Sequence, residues 1–568
     1  MPSYYPIIYV RGFAFTDSEI DETSDDPTNG FNLGSTHARQ GRGERILKFR
    51  FPGPFIRLMT EHGYADSISG ETDSVELVPD PTRTLWIYRY YEAYSDTFEN
   101  KGLPGRPEIE DLASKLSVFI DNVIDQAFEG APPSVPRKVI LVAHSMGGLI
   151  CRSLIAQVLQ GDASARVEKF VTYGTPHGGI ELSRISLPAF ARGAVGYHGL
   201  DNFSPRRMFE YLTPLIHNDG EAKHRESVKF DPDFDSRKME FFDAEKVLCI
   251  VGTNPADYEV ASGWSRRVLG GPASDGLVQI KNAWVHDAAR VDIHCSHSGR
   301  YGIVNSNQGY QAMQRFLFGK WRGVVDLQVK DPIDPDGGGG NPGEGGGGPT
   351  RGDNPRGGGG GAAHLLDVEY SIGRHSLALS SRKAEHLNAL ELGGQARARL
   401  HVFHLMDSDL EEGEDEKRNP LTGEFPKSFR IKLRLRLRHD QYDAAETLTL
   451  SDLLMEQPVE IRVTPQGGEA ANAEVRYLWP NLEQPWQIAT REGPAHVIPI
   501  PPGRSVRTWG PEARLYLTFT GLDAEDEDDL VERIRWLGDR QKEIERKKRR
   551  RQMPSSVEEP EMVGAGSR

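Results

Sequence analysis

The sequence predicts a doubly wound, mostly parallel α/β sheet carrying a lid insertion. A glycine-rich linker then leads to a β-rich, sandwich-like domain that ends in a helix. Three observations carry this expectation. Short apolar runs alternate with helical patterns through residues 1–330, and such alternation implies a parallel sheet covered on both faces. Residues 331–363, DPIDPDGGGGNPGEGGGGPTRGDNPRGGGGGAA, hold too little apolar surface to fold. Beyond them, Ser428–His439, SFRIKLRLRLRH, alternates basic and apolar residues with period two, the pattern of a strand with one buried and one solvated face.

The strand candidates of the first part are Ile7–Val10, Leu85–Tyr90, Val139–Ala143, Val167–Tyr173, Val247–Val251 and Val291–Cys295. Helical patterns fall between them, notably Pro107–Phe128 and Gly148–Leu159. In this architecture chemistry gathers at the carboxyl ends of the strands. Residues 180–245 form a long insertion between two strands, the place for a lid or cap. Within it, Ser204 followed by Pro205 is a helix start, and Met208, Tyr211, Leu212, Leu215 and Ile216 recur at helical spacing. Pro214 should kink or end that helix. A mobile lid with an apolar underside and a cap packing its own core both fit this pattern.

After the linker, Leu400–Met406, Val459–Val463, Val475–Trp479, His496–Pro499 and Arg514–Phe519 add strand candidates, and an antiparallel sandwich is expected over residues 364–522. The face carrying Arg430, Lys432, Arg434, Arg436 and Arg438 reads as a solvated strand face, or as a contact for phosphate headgroups or an acidic partner. Residues 523–568 form a charged helix and tail. An acidic block, Asp523–Asp529, precedes an apolar stripe of Leu530, Ile534, Leu537 and Ile544, and the basic run Arg546–Arg551 follows. That polarity suits the helix macrodipole. Docking on the β-domain, self-association and membrane contact are all compatible with it. With the boundary placed at the linker, residues 1–330 are expected to fold and act alone.

At 568 residues the chain should hold two or three domains. A net charge of −15 argues against nucleic acid as a partner and against general attraction to anionic membranes. The opening, MPSYYPIIYVRGF, lacks the basic region and long apolar run of a secretory signal, and no run reaches the length of a membrane span. Cytoplasmic location is the default expectation, with export independent of a signal also compatible. Cys151, Cys249 and Cys295 are scattered through apolar segments and read as free thiols rather than a disulfide framework or metal site.

Chemistry concentrates at Lys138–Gly148, KVILVAHSMGG. Ser145 sits where a buried strand must reverse into a helix, and Ala143 and Gly147 supply the small side chains that so tight a turn requires. This is a nucleophile elbow, which lifts a serine hydroxyl above the sheet and aims the following backbone N–H groups at a substrate oxygen. A serine nucleophile needs a base, and the base an orienting acid, in the chain order Ser, Asp or Glu, His. Asp275 in GPASDGLVQI and His297 in DIHCSHSGRYG stand in that order. Asp257 in GTNPADY competes for the acid, and His294 and His286 compete for the base.

Five motifs, IIYVRGF at 7–13, AHSMGG at 143–148, YGTPHGG at 173–179, SDGLV at 274–278 and HSG at 297–299, together resemble the α/β-hydrolase superfamily, specifically its bacterial lipases and related lipid-deacylating hydrolases, over most of residues 5–320. Arg11 stands where those lipases place a histidine, and Ala143 replaces their usual glycine. The resemblance implies an oxyanion hole built from the N–H groups of Phe13 and Met146, and it favours Asp275 over Asp257. It makes His177 a mainly structural strand-end residue that could also touch substrate, as could Met208 and Leu212 beneath a lid. The implied activity is acyl-ester hydrolysis by a lipase or phospholipase, with no metal or organic cofactor. A thioesterase or amidase using the same three residues, a lipid-hydrolysing effector delivered by a partner, and a silent hydrolase-like binding protein are the alternatives. Peripheral membrane or protein contact would run through the C-terminal β-domain or helix.

Overall fold

The computed structural model describes residues 4–12, 17–40, 46–67, 78–92, 108–180, 202–214, 229–258, 271–299, 302–329, 362–373, 378–392, 397–412, 427–442, 448–466, 469–501, 512–522 and 527–552. Seven strands form the first sheet, in the order Ala65–Asp66, Thr84–Ile87, Ile7–Val10, Val139–His144, Val167–Tyr173, Val247–Gly252 and Ala289–Ile293. Every pairing in it is parallel. Side chains alternate across the sheet as the period of two demands. Ile8, Val10, Leu141, Ala143, Cys249 and Val251 enter one hydrophobic cluster, while Ile7, Tyr9, Ile140, Val142, Leu248 and Ile250 enter another on the opposite face. Helix Ile109–Ala127 covers the first face with Leu112, Leu116, Ile120 and Val123, and helix Asn307–Phe318 covers the second with Tyr310, Met313 and Phe316. This doubly wound sheet is the α/β-hydrolase fold.

Two sheets make up the second part. One runs Arg397–Leu405, Trp321–Gln328, Arg514–Gly521, Ala495–Pro499 and Thr490–Glu492; the other is built on Ala378–Arg382, Ala362–Ile372, Lys427–Tyr442, Leu448–Gln466, Glu469–Leu478 and Gln487–Ile488. Their pairings are antiparallel, and Val325, Leu327, Leu366, Leu433 and Leu435 share one core between them. On the solvated side the basic stripe is neutralised by neighbouring strands. Arg430 pairs with Glu411, Lys432 with Glu460, Arg434 with Glu369 and Glu456, Arg436 with Glu456, and Arg438 with Asp367. Cross-strand ion pairs of this exposed kind contribute little each, but together they leave no unopposed positive face there.

The expected boundary at residue 330 needs correction. Strand Trp321–Gln328 lies before the linker in sequence, yet it is hydrogen-bonded on both sides within the second part's sheet, to Arg397–Leu405 and to Arg514–Gly521. Residues 331–361 of the predicted linker lie outside the described residues, and Ala362 and Ala363 already belong to a strand.

The C-terminal helix spans Glu527–Gln552 and docks on the α/β part. Trp536 is buried and stacks near Phe128 with ring centroids 6.4 Å apart, Arg533 donates to the Tyr4 carbonyl, and Arg540 Nε donates to the Val78 carbonyl at 3.3 Å. The buried stripe is therefore Arg533, Trp536 and Ile544, while Ile534, expected on the apolar face, is 55% exposed. Arg551 and the acidic block up to residue 526 lie outside what is described of side chains there. Among the described residues no helix is long and apolar enough to cross a membrane.

Candidate active site

The site is assembled where strand Val139–His144 gives way to helix Met146–Ser153. Between them Ser145 adopts φ 54° and ψ −127°, a conformation disfavoured for any residue with a Cβ. It is held because the surrounding chains approach too closely for anything larger. A Cβ on Gly147 would collide with the Val10 carbonyl, and one on Gly12 would collide with the Ser145 side chain. The small-residue pattern of the sequence thus has a direct steric cause.

The structure brings Ser145, His297 and Asp275 together from three separate segments. His297 Nε2 lies 2.9 Å from Ser145 Oγ, and His297 Nδ1 lies 2.8 Å from Asp275 Oδ2. A carboxylate can only accept, so Nδ1 carries the proton and Nε2 is left to accept from the serine hydroxyl. The other carboxylate oxygen, Asp275 Oδ1, accepts from the N–H groups of Leu277 at 3.0 Å and Val278 at 2.7 Å. In addition, His297 N–H donates to the Asp275 carbonyl at 2.8 Å. All three side chains are buried. The chain Oγ–Nε2, Nδ1–Oδ2 can move a proton off the serine while a fixed, desolvated carboxylate stabilises the cation that forms.

The competing residues lie elsewhere. Asp257 is exposed and accepts from Asn254 Nδ2 at 2.7 Å. His286 pairs with Asp235 at 2.8 Å. His294 points its Nδ1 at Thr253 Oγ1, 3.2 Å away, and stacks on His386.

Met146 is the first residue of its helix, where backbone N–H groups have no acceptor within the helix and the dipole favours negative charge. Phe13, the other expected oxyanion donor, lies outside the described residues. Its neighbour is well fixed: the Gly12 carbonyl accepts from both Tyr90 Oη and Tyr91 Oη at 3.0 Å, and Tyr90 Oη also reaches the Arg11 carbonyl at 2.9 Å.

Three residues named as possible substrate contacts are packed inside the fold. His177 is fully buried with its Nε2 3.1 Å from Thr172 Oγ1, and burial, reinforced by Arg152, holds it well below the usual histidine range. Its place is structural, since it is neutral and enclosed. Met208 and Leu212 are buried in the same cluster as Ile180, Phe203 and Tyr211. Their helix, Pro205–Leu212, begins at Ser204, whose Oγ accepts from Arg207 N–H, and it stops with Thr213 extended before Pro214, as the steric demand of proline on its predecessor requires. The rest of the lid region, 181–201 and 215–228, including Leu215 and Ile216, lies outside the described residues.

Several site residues escaped sequence reasoning. His144 Nε2 lies 2.9 Å from the His297 carbonyl, which only accepts, so this nitrogen donates. Burial first, and then His297 beside it, hold His144 well below the usual range and therefore neutral. The Tyr258 ring stands edge-on to His297, with centroids 5.9 Å apart. Their only local signal was position at or just beyond the carboxyl ends of strands. The cysteines are free thiols; burial pushes Cys151 and Cys249 up and raises Cys295 to about 12, which makes them inert at neutral pH. Among the described residues no group of three or more His, Cys, Asp or Glu side chains is placed to hold a metal ion.

Residues 110–184, which contain the elbow, match the family described as PGAP1-like alpha/beta domain. No curated protein matches the chain. Among solved structures the chain is similar to a Bacillus licheniformis lipase, BlEst2, in propeptide form, at 12% identity over 82% of this chain and 96% of that one, with TM-score 0.26. It is also similar to the phospholipase PlaB of Legionella pneumophila in complex with thio-NAD, at 11% identity over 75% of this chain and 84% of that one, with TM-score 0.29. A gene product of Listeria innocua aligns at 11% identity over 56% and 94% of the two chains, with TM-score 0.24.

Proposed function

We propose that this protein is a serine hydrolase of carboxylic esters, acting on acyl lipids as a lipase or phospholipase. The observation that carries the proposal is the continuous hydrogen-bonded line from Ser145 Oγ through His297 to Asp275, set on a strained elbow at the carboxyl edge of a parallel sheet. In this reading Ser145 Oγ attacks the ester carbonyl carbon as its proton passes to His297 Nε2. The carbonyl electron pair moves onto oxygen, where the N–H groups of Met146 and Phe13 receive it, each such donor worth about 3 kcal/mol in the transition state. The C–O bond to the alcohol then breaks, and His297 returns the proton to the departing oxygen. Water, deprotonated by the same nitrogen, releases the acid from the acyl-enzyme. Asp275 holds the tautomer throughout.

The lipid half of the proposal rests on the lipase-like motifs around these residues. A fluorophosphonate probe tests the chemistry. It should label Ser145 in the full chain and fail to label Ser145→Ala; equal labelling of both would end the reading. Comparing lipid extracts exposed to wild type and to Ser145→Ala then separates acyl-ester hydrolysis from thioester or amide hydrolysis.

A further inference from the structure

Strand Ala289–Ile293 is the last of the parallel sheet and pairs on one side with Val247–Gly252. An edge strand ordinarily leaves its other side open. Here that side is covered by the second part of the chain, through strand Ala378–Arg382 and the short 3-10 turn Ala384–His386 that follows it. The Asp292 N–H donates to Ser380 Oγ at 3.0 Å. The Asp292 carboxylate, 1% exposed, is gripped by Arg290 at 2.8 Å and by Arg382 Nε at 3.0 Å. Burial opposes its ionisation, but the two guanidinium groups outweigh burial and hold it below the usual carboxylate range. Two residues later, the His294 ring lies flat on His386, with centroids 3.7 Å apart and planes 9° apart. Three residues further on stands His297.

The geometry points to the sandwich as a positioning element for the base of the hydrolase. Ser380, Arg382 and His386 pin residues 292 and 294 from outside the α/β fold, and so fix the start of the five-residue path that delivers the His297 imidazole to Ser145. From inside the fold, the segment is held by the His144 bond to the His297 carbonyl and by the His297 N–H bond to the Asp275 carbonyl. Residues 292 and 293 are also paired from inside with Val251 and Gly252, and Thr253 reaches the Ile293 carbonyl and His294 Nδ1, so what the outer grip adds is a hold on the Asp292 and His294 side chains. Without the outer grip, the segment keeps its local bonds but gains freedom along the strand direction. A displacement of about 1 Å at a reacting group is enough to cost up to a hundredfold in rate. Arg382 and His386 are thus positioning residues, remote from the reacting atoms.

This inference rests on the hydrolase reading above, and its test separates the two. Removing Arg382 alone would leave Asp292 buried and short of one partner, a strongly destabilising change. The informative variants are His386→Ala, His386→Phe and the pair Asp292→Asn with Arg382→Met, which removes one charge of each sign and leaves Arg290 over the Trp284 ring, each in the full chain. Hydrolysis of a short p-nitrophenyl ester and thermal melting are measured together. His386→Ala and the double variant should lower kcat by about tenfold to a hundredfold with KM little changed, whereas His386→Phe, which keeps the stacked ring, should restore it. An activity-independent arm follows the downfield proton of the His297–Asp275 bond by NMR, assigned through its loss in Asp275→Asn. It should be sharp in wild type and His386→Phe and broadened in His386→Ala. Variants that melt lower but keep full kcat and a sharp proton would overturn the inference and leave the hydrolase reading standing. A wild type that hydrolyses nothing would sink that reading, while the NMR arm would still decide the positioning role.

Discussion

Replacing Asp275 by Asn is the most discriminating single change, because the structure dictates how the new side chain must lie. Asp275 Oδ1 accepts two backbone N–H groups, from Leu277 and Val278, and Oδ2 faces His297 Nδ1. An asparagine has one acceptor and one donor end. Turning its NH2 towards Leu277 and Val278 would set donor against donors at buried positions, at a cost of about 1–3 kcal/mol for each unmade bond. The amide oxygen therefore keeps the backbone bonds, and the NH2 is left facing Nδ1. The imidazole must then accept at Nδ1 and carry its proton on Nε2, where it donates to Ser145 instead of accepting from it. The base is lost without any loss of volume. A wrong tautomer of this kind lowers turnover about 10⁴-fold, which corresponds to about 5.5 kcal/mol of transition-state stabilisation. The assay is hydrolysis of a short p-nitrophenyl ester by full-length Asp275→Asn, with melting to confirm that the variant is folded. Asp257→Asn, whose carboxylate is exposed and bonded to Asn254, should stay within about threefold of wild type, since surface changes of this kind matter little. A folded Asp275→Asn within tenfold of wild type would refute the reasoning.

Three further outcomes follow from the same structure. The double variant Tyr90→Phe, Tyr91→Phe removes both hydroxyls from the Gly12 carbonyl; it should cost about 1 kcal/mol of stability per bond, and the freed loop, displaced by about 1 Å, should lower kcat about tenfold or more, measured against each single variant. A fragment ending at residue 330 should be insoluble or inactive on soluble esters, because strand Trp321–Gln328 loses partners on both sides; a monomeric, active fragment on gel filtration would contradict this. Full-length stability should fall as pH drops from 7.5 to 5. Burial, aided by Arg382 for His401 and by His294 for His386, lowers both histidines to about 4. Their folded values lie below the unfolded value near 6.5, so the stability they contribute is present above that value and is lost as pH falls towards 4. A melting temperature that rises on acidification would reverse the sign of the argument.

Much of the α/β sheet was legible in the sequence because Ile7–Val10, Val139–His144 and Val247–Gly252 are short apolar runs ending at turns. Ala65–Asp66 was not, since two residues carry no period, and neither was the hairpin of Ser35–Gln40 with Ile46–Phe51, whose first strand is polar. Ser145, Asp275 and His297 were readable from local patterns and chain order. The residues against His297, His144 and Tyr258, and the Tyr90 hydroxyl on the Gly12 carbonyl declare themselves only when distant segments meet. The misplaced boundary has the same origin. Trp321–Gln328 follows helix Asn307–Phe318 after a two-residue turn, and nothing local reveals that its partners lie far along the chain at Arg397–Leu405 and Arg514–Gly521. The face of the C-terminal helix was misjudged for a different reason. Its buried stripe includes Arg533, which an apolar pattern passes over.

The docking of helix Glu527–Gln552 against Phe128 and Tyr4 also sets a clock on biosynthesis. Tyr4 and Phe128 are made about 400 or more residues before the helix that covers them. At ordinary elongation rates the roughly 260 residues from Ile293, the end of the α/β sheet, to Gln552, the end of this helix, take about 10 to 50 s to be made. Trp321–Gln328 lacks both neighbours until Arg397–Leu405 is made and lacks the second until Arg514–Gly521 follows, and the patch around Phe128 stays uncovered until the helix arrives. The nascent chain therefore passes through a long stage in which the elbow exists and the fold around it is unfinished. Synthesis that stopped before Ala378 would leave Ser145 on its elbow without the outer contacts to Asp292 and His294.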